Sequence, residues 1–175
     1  PRQGWARLVR GWDFNYSEGR GDWTVGVLIG VRPSLIPGVR EEVWVLDVVR
    51  GQWGSGRRDD AMSLTAMQDD ADYPGQVQIW FPQDPAAGKD TAERVLQLLK
   101  GYRVYATPIV KNKEASADGF RSHCWAEDHA GRQVFLLQAP WNKVWLDELC
   151  MFPNAANDDQ VDASSMSFNK VIKPT

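Results

Sequence analysis

Gln76-Val-Gln-Ile-Trp-Phe81 followed by Pro82-Gln-Asp-Pro-Ala-Ala-Gly-Lys89 and Asp90-Thr-Ala-Glu-Arg-Val-Leu-Gln-Leu-Leu99 is the stretch on which the fold turns. The first six residues read as a strand, stopped by Pro82 and Pro85. Asp90 and Glu93 form a capping-box-like start, and Ala92, Val95, Leu96 and Leu99 share one helical face before Gly101 ends the helix. Tyr102–Val110 then returns as a strand, so strand, helix and strand follow one another as in a parallel crossover.

Upstream the pattern changes. Trp23–Val31 is apolar throughout, and Glu42–Val49 is β-branched and aromatic. The turn Pro33-Ser-Leu-Ile-Pro-Gly38 joins them and favours an antiparallel pair. Asp59–Asp70 reads as a helix carrying Ala61 and Leu64 on its apolar face. Downstream, Asp118–His129 reads as a helix, Gln133–Leu137 as a short strand, and Trp141–Met151 as an amphipathic helix. Asp158–Ile172 is the last helix, after the break at Pro153 and Asn154. Antiparallel strands followed by β-α-β units predict a mixed sheet with helices on both faces.

At 175 residues and 43% hydrophobic, the chain suits one domain with a full core. No repeat or low-complexity linker divides residues 1–175. The net charge of −3 argues against a generally basic nucleic-acid binder, although acids that hold cations reverse the local field. Basic residues group at Arg57 and Arg58, and at Lys111 and Lys113 in a late loop. Cys124 and Cys150 lie outside any Cys-x-x-Cys unit, which disfavours zinc and suits a reducing compartment. No apolar run is long enough to span a bilayer. The chain opens on Pro1 and enters a strand pattern almost at once, which reads as a domain excised from a longer polypeptide.

Acids are the candidate chemistry. Asp159 and Asp162, three apart at a helix start, share one face with Cβ atoms roughly 5–6 Å apart. They complement the helix macrodipole, or they hold a hard divalent cation. Asp13, on or beside an opening strand among Trp12, Phe14 and Trp23, needs a partner if buried, and Arg10 and Arg20 are the cations close in sequence. Asp84, at the exit of the central strand, is the third acid, with Asp47 ranked below it. Ala87-Gly-Lys-Asp-Thr91 lacks the glycine and the residue after lysine that a phosphate loop requires.

In order along the chain, Gly11-Trp-Asp-Phe with Gly21-Asp-Trp-Thr, Leu46-Asp-Val-Val-Arg-Gly-Gln-Trp53, Pro82-Gln-Asp-Pro-Ala-Ala-Gly-Lys89, Pro140-Trp-Asn142 and Glu148-Leu-Cys-Met-Phe-Pro-Asn154 running into Asp158-Asp-Gln-Val-Asp-Ala163 form a series. The series resembles the C-terminal nuclease domain of tailed-phage terminase large subunits. The resemblance implies a ribonuclease-H-like fold and an endonuclease that cuts concatemeric double-stranded viral DNA with two Mg²⁺ or Mn²⁺ ions. It further implies a preceding ATPase domain, a portal protein and a terminase small subunit as partners, and action at the procapsid in the host cytoplasm. Carried over by residue, Asp13, Asp84 and Asp159 are the expected catalytic acids, and the same three with Asp162 the expected metal ligands. Asp84 stands in because Pro82 occupies the place where relatives have Glu. Lys113 matches a loop lysine that contacts phosphate; Lys111, Arg57 and Arg58 complete the expected DNA contacts. Two other readings remain: another ribonuclease-H-like phosphotransferase of the resolvase or transposase type, and a non-catalytic DNA-binding or motor-docking module.

Overall fold

The computed structural model describes residues 4–14, 23–35, 37, 41–83, 89–109, 112–124 and 134–172. Six strands join one sheet: β1 (Arg7–Asp13), β2 (Thr24–Pro33), β3 (Glu41–Gly51), β4 (Val77–Gln83), β5 (Arg103–Pro108) and β6 (Val134–Leu136), in the order β5-β4-β1-β2-β3-β6. β1, β2 and β3 are antiparallel neighbours, whereas β4 is parallel to β1, β5 to β4 and β6 to β3. The helices are α1 (Ser55–Asp72), α2 (Lys89–Leu98), α3 (Lys113–Cys124), α4 (Asn142–Met151) and α5 (Asp159–Ile172). This is the expected ribonuclease-H-like arrangement.

Strand alternation sorts the core into two layers. Leu8 and Trp12 of β1 and Leu28 of β2 face α1 and α2, packing with Met62, Ala66, Val95 and Leu99. Val9 of β1 and Val25, Val27 and Ile29 of β2 face the other way, against Phe120 of α3, Trp145 of α4 and Phe168 of α5. Helices therefore cover both faces.

Two helices depart from the expected bounds. α1 begins at Ser55, because Gly54 leaves the strand in an extended conformation and its carbonyl accepts the Arg58 amide at 3.0 Å. Its buried stripe runs Arg58, Met62, Thr65, Ala66 and Asp69, leaving Leu64 66% exposed instead of in the core. α3 begins at Lys113, inside the expected loop. The Asn112 side chain caps it by accepting the Ala115 amide at 3.0 Å. The helix is described only to Cys124; residues 125–129 of the expected Asp118–His129 lie outside the described residues.

Candidate active site at the β1–α5 junction

The site starts from a glycine. The Gly11 amide donates to Ser167 Oγ at 2.7 Å, and that hydroxyl donates onward to the Val27 carbonyl at 2.8 Å. A Cβ on Gly11 would stand 2.9 Å from both the Ala163 carbonyl oxygen and the Ser167 nitrogen. With small residues at Ala163, Ser164 and Ser167, α5 lies directly on β1 and β2. Trp145 holds it from the α4 side, donating Nε1–H to Ser164 Oγ at 3.0 Å.

Asp13 follows Gly11 by two residues and so faces α5 as well. The opposing first turn of α5 carries Asp159 and Asp162, with Asp158 just before it. Asp159 is buried, while Asp13, Asp158 and Asp162 are partly buried. Burial raises the Asp13 pKa well above the usual carboxylate range, and the charges of Asp162, Asp159 and Asp158 push it further; Lys113 opposes them. Asp162 is raised too, chiefly by burial, against the hydrogen bond and charge of Lys113.

Lys113 Nζ bridges Asp158 at 2.8 Å and Asp162 at 2.7 Å. Partial burial pulls its pKa down, but those two carboxylates more than offset that and raise it. Glu148 fixes the start of α5 from α4, accepting the Gln160 amide at 2.7 Å and a second hydrogen bond from the Gln160 side chain.

Of the expected site residues, Asp13, Asp159, Asp162 and Lys113 come together. Asp84 and Lys111 lie outside the described residues. β4 runs parallel to β1, so its C-terminal end reaches the same sheet edge as Asp13, and Phe14 and Phe81 stack there at 5.6 Å. Arg57 is exposed. Arg58 needs correcting as a surface contact: it is 4% exposed, with its guanidinium carbon 5.0 Å from the Phe14 ring centroid. Arg10 is likewise no partner for Asp13, since it points to the α1 face and pairs there with Asp69 and Asp47. Asp47 consequently faces away from the acid cluster.

Asp158, which opens the acid run in the sequence, joins the cluster, and Glu148 holds the start of α5 without being singled out there. Asp158 is visible as the acid adjoining the pair, but Glu148 carries no spacing signal, because the link between α4 and α5 is tertiary. His123, packed edge-on to Phe168 at 4.7 Å between ring centroids, is the one histidine among the described residues.

The donor set is all oxygen, which suits a hard divalent cation, and the Lys113 ammonium already supplies positive charge between two of the acids. Among the described residues, no group of three or more His, Cys, Asp or Glu is placed to hold a metal ion.

Among solved structures, the chain is similar to the large terminase of a thermophilic bacteriophage. The superposition has a TM-score of 0.55 at 18% sequence identity, covering 98% of this chain and 41% of that one. The chain thus spans less than half the length of that terminase, and at this identity the likeness establishes the fold. No protein-family model matches the chain, and no curated protein matches it.

Proposed function

We propose that this chain is a Mg²⁺- or Mn²⁺-dependent endonuclease that cuts double-stranded viral DNA during genome packaging. The observation that carries the reading is the convergence of Asp13, from β1, with Asp158, Asp159 and Asp162 from the start of α5, against their mutual repulsion. Acids remote in sequence and driven this close are costly unless a cation offsets them. The terminase-like fold supports the same reading.

Asp13, Asp159 and Asp162 would hold the metal, with Asp84 added by the family resemblance. Bound divalent ions would supply Lewis acidity toward the phosphodiester and its attacking water. Lys113, whose side chain is half exposed, would exchange a carboxylate for a phosphate oxygen of the DNA. Phosphate contacts of this kind carry no sequence information, so binding would be largely sequence-independent and would weaken as salt rises. The further proposed setting is the host cytoplasm at the procapsid, with an ATPase domain, portal protein and terminase small subunit as partners.

A plasmid nicking assay tests this. Wild-type protein should convert supercoiled plasmid with Mg²⁺ or Mn²⁺ and stop in EDTA, and Asp13→Asn and Asp159→Asn should each abolish cutting. Cleavage that survives EDTA, or full activity of Asp13→Asn, overturns the proposal. A second reading, a non-catalytic DNA-binding or motor-docking module, is favoured by Lys113 standing where a cation would sit. It predicts DNA binding with no metal-dependent cutting in the same assay. Strand transfer or junction resolution in place of general duplex cutting would indicate a transposase- or resolvase-type relative.

A further inference from the structure

Lys113 sits in the acid cluster in a way that lets it leave. Its Nζ reaches two carboxylates at once, Asp158 at 2.8 Å and Asp162 at 2.7 Å. The side chain is nevertheless 50% exposed, so it can swing into solvent without any movement of the backbone. Arg10, on the other face of the sheet, also serves two carboxylates, Asp69 and Asp47, but its side chain is only 1% exposed. The guanidinium is a fixture, whereas the ammonium stands at an open rim.

The helix that carries Lys113 is anchored by other contacts. Asn112 caps its first turn through the Ala115 amide, and Asn169 of α5 donates to the Ser116 carbonyl at 2.9 Å. One turn further on, Phe120 packs against Phe168 of α5 with ring centroids 5.2 Å apart. These contacts hold α3 on α5 whether or not Lys113 keeps its carboxylates. An exposed ion pair adds little to stability in any case.

Charge decides what the bridge does. The Lys113 ammonium pairs with Asp158 and Asp162, and its field reaches Asp13 as well. Asp162, an expected metal ligand, has its Oδ2 taken up by Lys113. With the acids in this arrangement, no three of the described residues are placed to hold a metal ion. A divalent cation at the same oxygens would repel the ammonium, so the two are alternatives for one place. An ammonium displaced from carboxylates is a flexible point charge with three donors, well suited to a phosphate oxygen.

We infer that Lys113 is a resident counter-ion that competes with divalent metal for Asp158 and Asp162, and that duplex DNA, by drawing the ammonium to phosphate, favours metal loading. The inference rests on the nuclease reading and adds its regulation: the acids fill with metal when DNA is present. Linkage makes the effect mutual, so metal raises the affinity for DNA by the same factor by which DNA raises the affinity for metal.

The test reads binding, not cutting. In calorimetric titration without DNA, Lys113→Gln should bind Mn²⁺ about 5-fold or more tighter than wild type, the low end of such couplings. Lys113→Arg, which keeps the charge, should stay near wild type. In the wild-type protein, acylation of the Lys113 amine by an N-hydroxysuccinimide ester, read by peptide mass spectrometry, should rise when Mn²⁺ replaces EDTA. Ca²⁺ should raise the affinity of wild type for a short labelled duplex, read by anisotropy with the duplex checked as intact, by more than it raises that of Lys113→Gln. Mn²⁺ affinity in Lys113→Gln no higher than wild type, an equal gain in Lys113→Arg, or acylation that does not rise overturns the competition. Equal Ca²⁺ enhancement in wild type and Lys113→Gln overturns the link to DNA. Wild-type protein that binds no Mn²⁺ overturns the nuclease reading along with it.

Discussion

The Gly11 amide and the Ser167 hydroxyl meet at 2.7 Å, and a Cβ added at Gly11 would stand 2.4 Å from that same oxygen. Backbone atoms of α5 lie 2.9 Å from the same point, so a rotamer change at Ser167 would not clear the space. Gly11→Ala should therefore push α5 off the sheet at a cost of about 1–3 kcal/mol. Urea unfolding would measure it, and a midpoint equal to wild type would show that the helix does not lie as close as described.

On the opposite face, Arg10 makes a two-pronged contact with Asp69, at 2.9 Å from Nε and 2.6 Å from Nη2. Both side chains are buried, so truncating one strands the other. Asp69→Ala should cost about 3–5 kcal/mol. Asp47→Ala, which removes a more exposed partner of the same guanidinium, should cost far less. Equal costs in urea unfolding would contradict this division.

Asp13 has a raised pKa, and the sign of its effect on stability follows. Between the ordinary carboxylate value, about 4, and its raised value, the folded protein keeps a proton that the unfolded chain has released. Stability contributed by this group therefore falls as pH rises through that window. In EDTA at pH 7, Asp13→Asn should melt at a higher temperature than wild type, and the gap should close as pH falls toward about 4. A variant that melts lower at pH 7 would mean that Asp13 is not under the stress inferred.

Glu148 reaches from α4 to cap the first turn of α5. Glu148→Ala should cost about 0.5–2 kcal/mol, the usual range for a lost helix cap. Chemical denaturation that shows no change would leave the α4–α5 link without an energetic role.

Five of the six strands and the five helices are legible in the sequence because their cues are local: β-branched runs, proline stops and helical spacing of apolar residues; β1 enters only as an opening strand beside Asp13. The meeting of Asp13 with the Asp159–Asp162 pair is expected from the family resemblance, not from spacing, because the packing of α5 on β1 is tertiary. What escapes the sequence depends on pairing. Which way Arg10 points is decided by its register on β1, and Lys113 joins the acids because Asn112 caps a helix inside the expected loop. Arg58 reads as a surface cation but is drawn inward by the Phe14 ring and the packing of α1. Leu64 fails as a core residue because the buried stripe of α1 is set by Met62 and Ala66, and Leu64 lies off that line.

β1 holds two opposite demands three residues apart: a guanidinium that must lie under α1 and a carboxylate that must meet α5. Because side chains alternate, inserting or deleting one residue between Arg10 and Asp13 would send one of them to the wrong layer. The strand can exchange many side chains, but its length between these two points is not negotiable, and a frame of that kind is harder to drift from than any single acid.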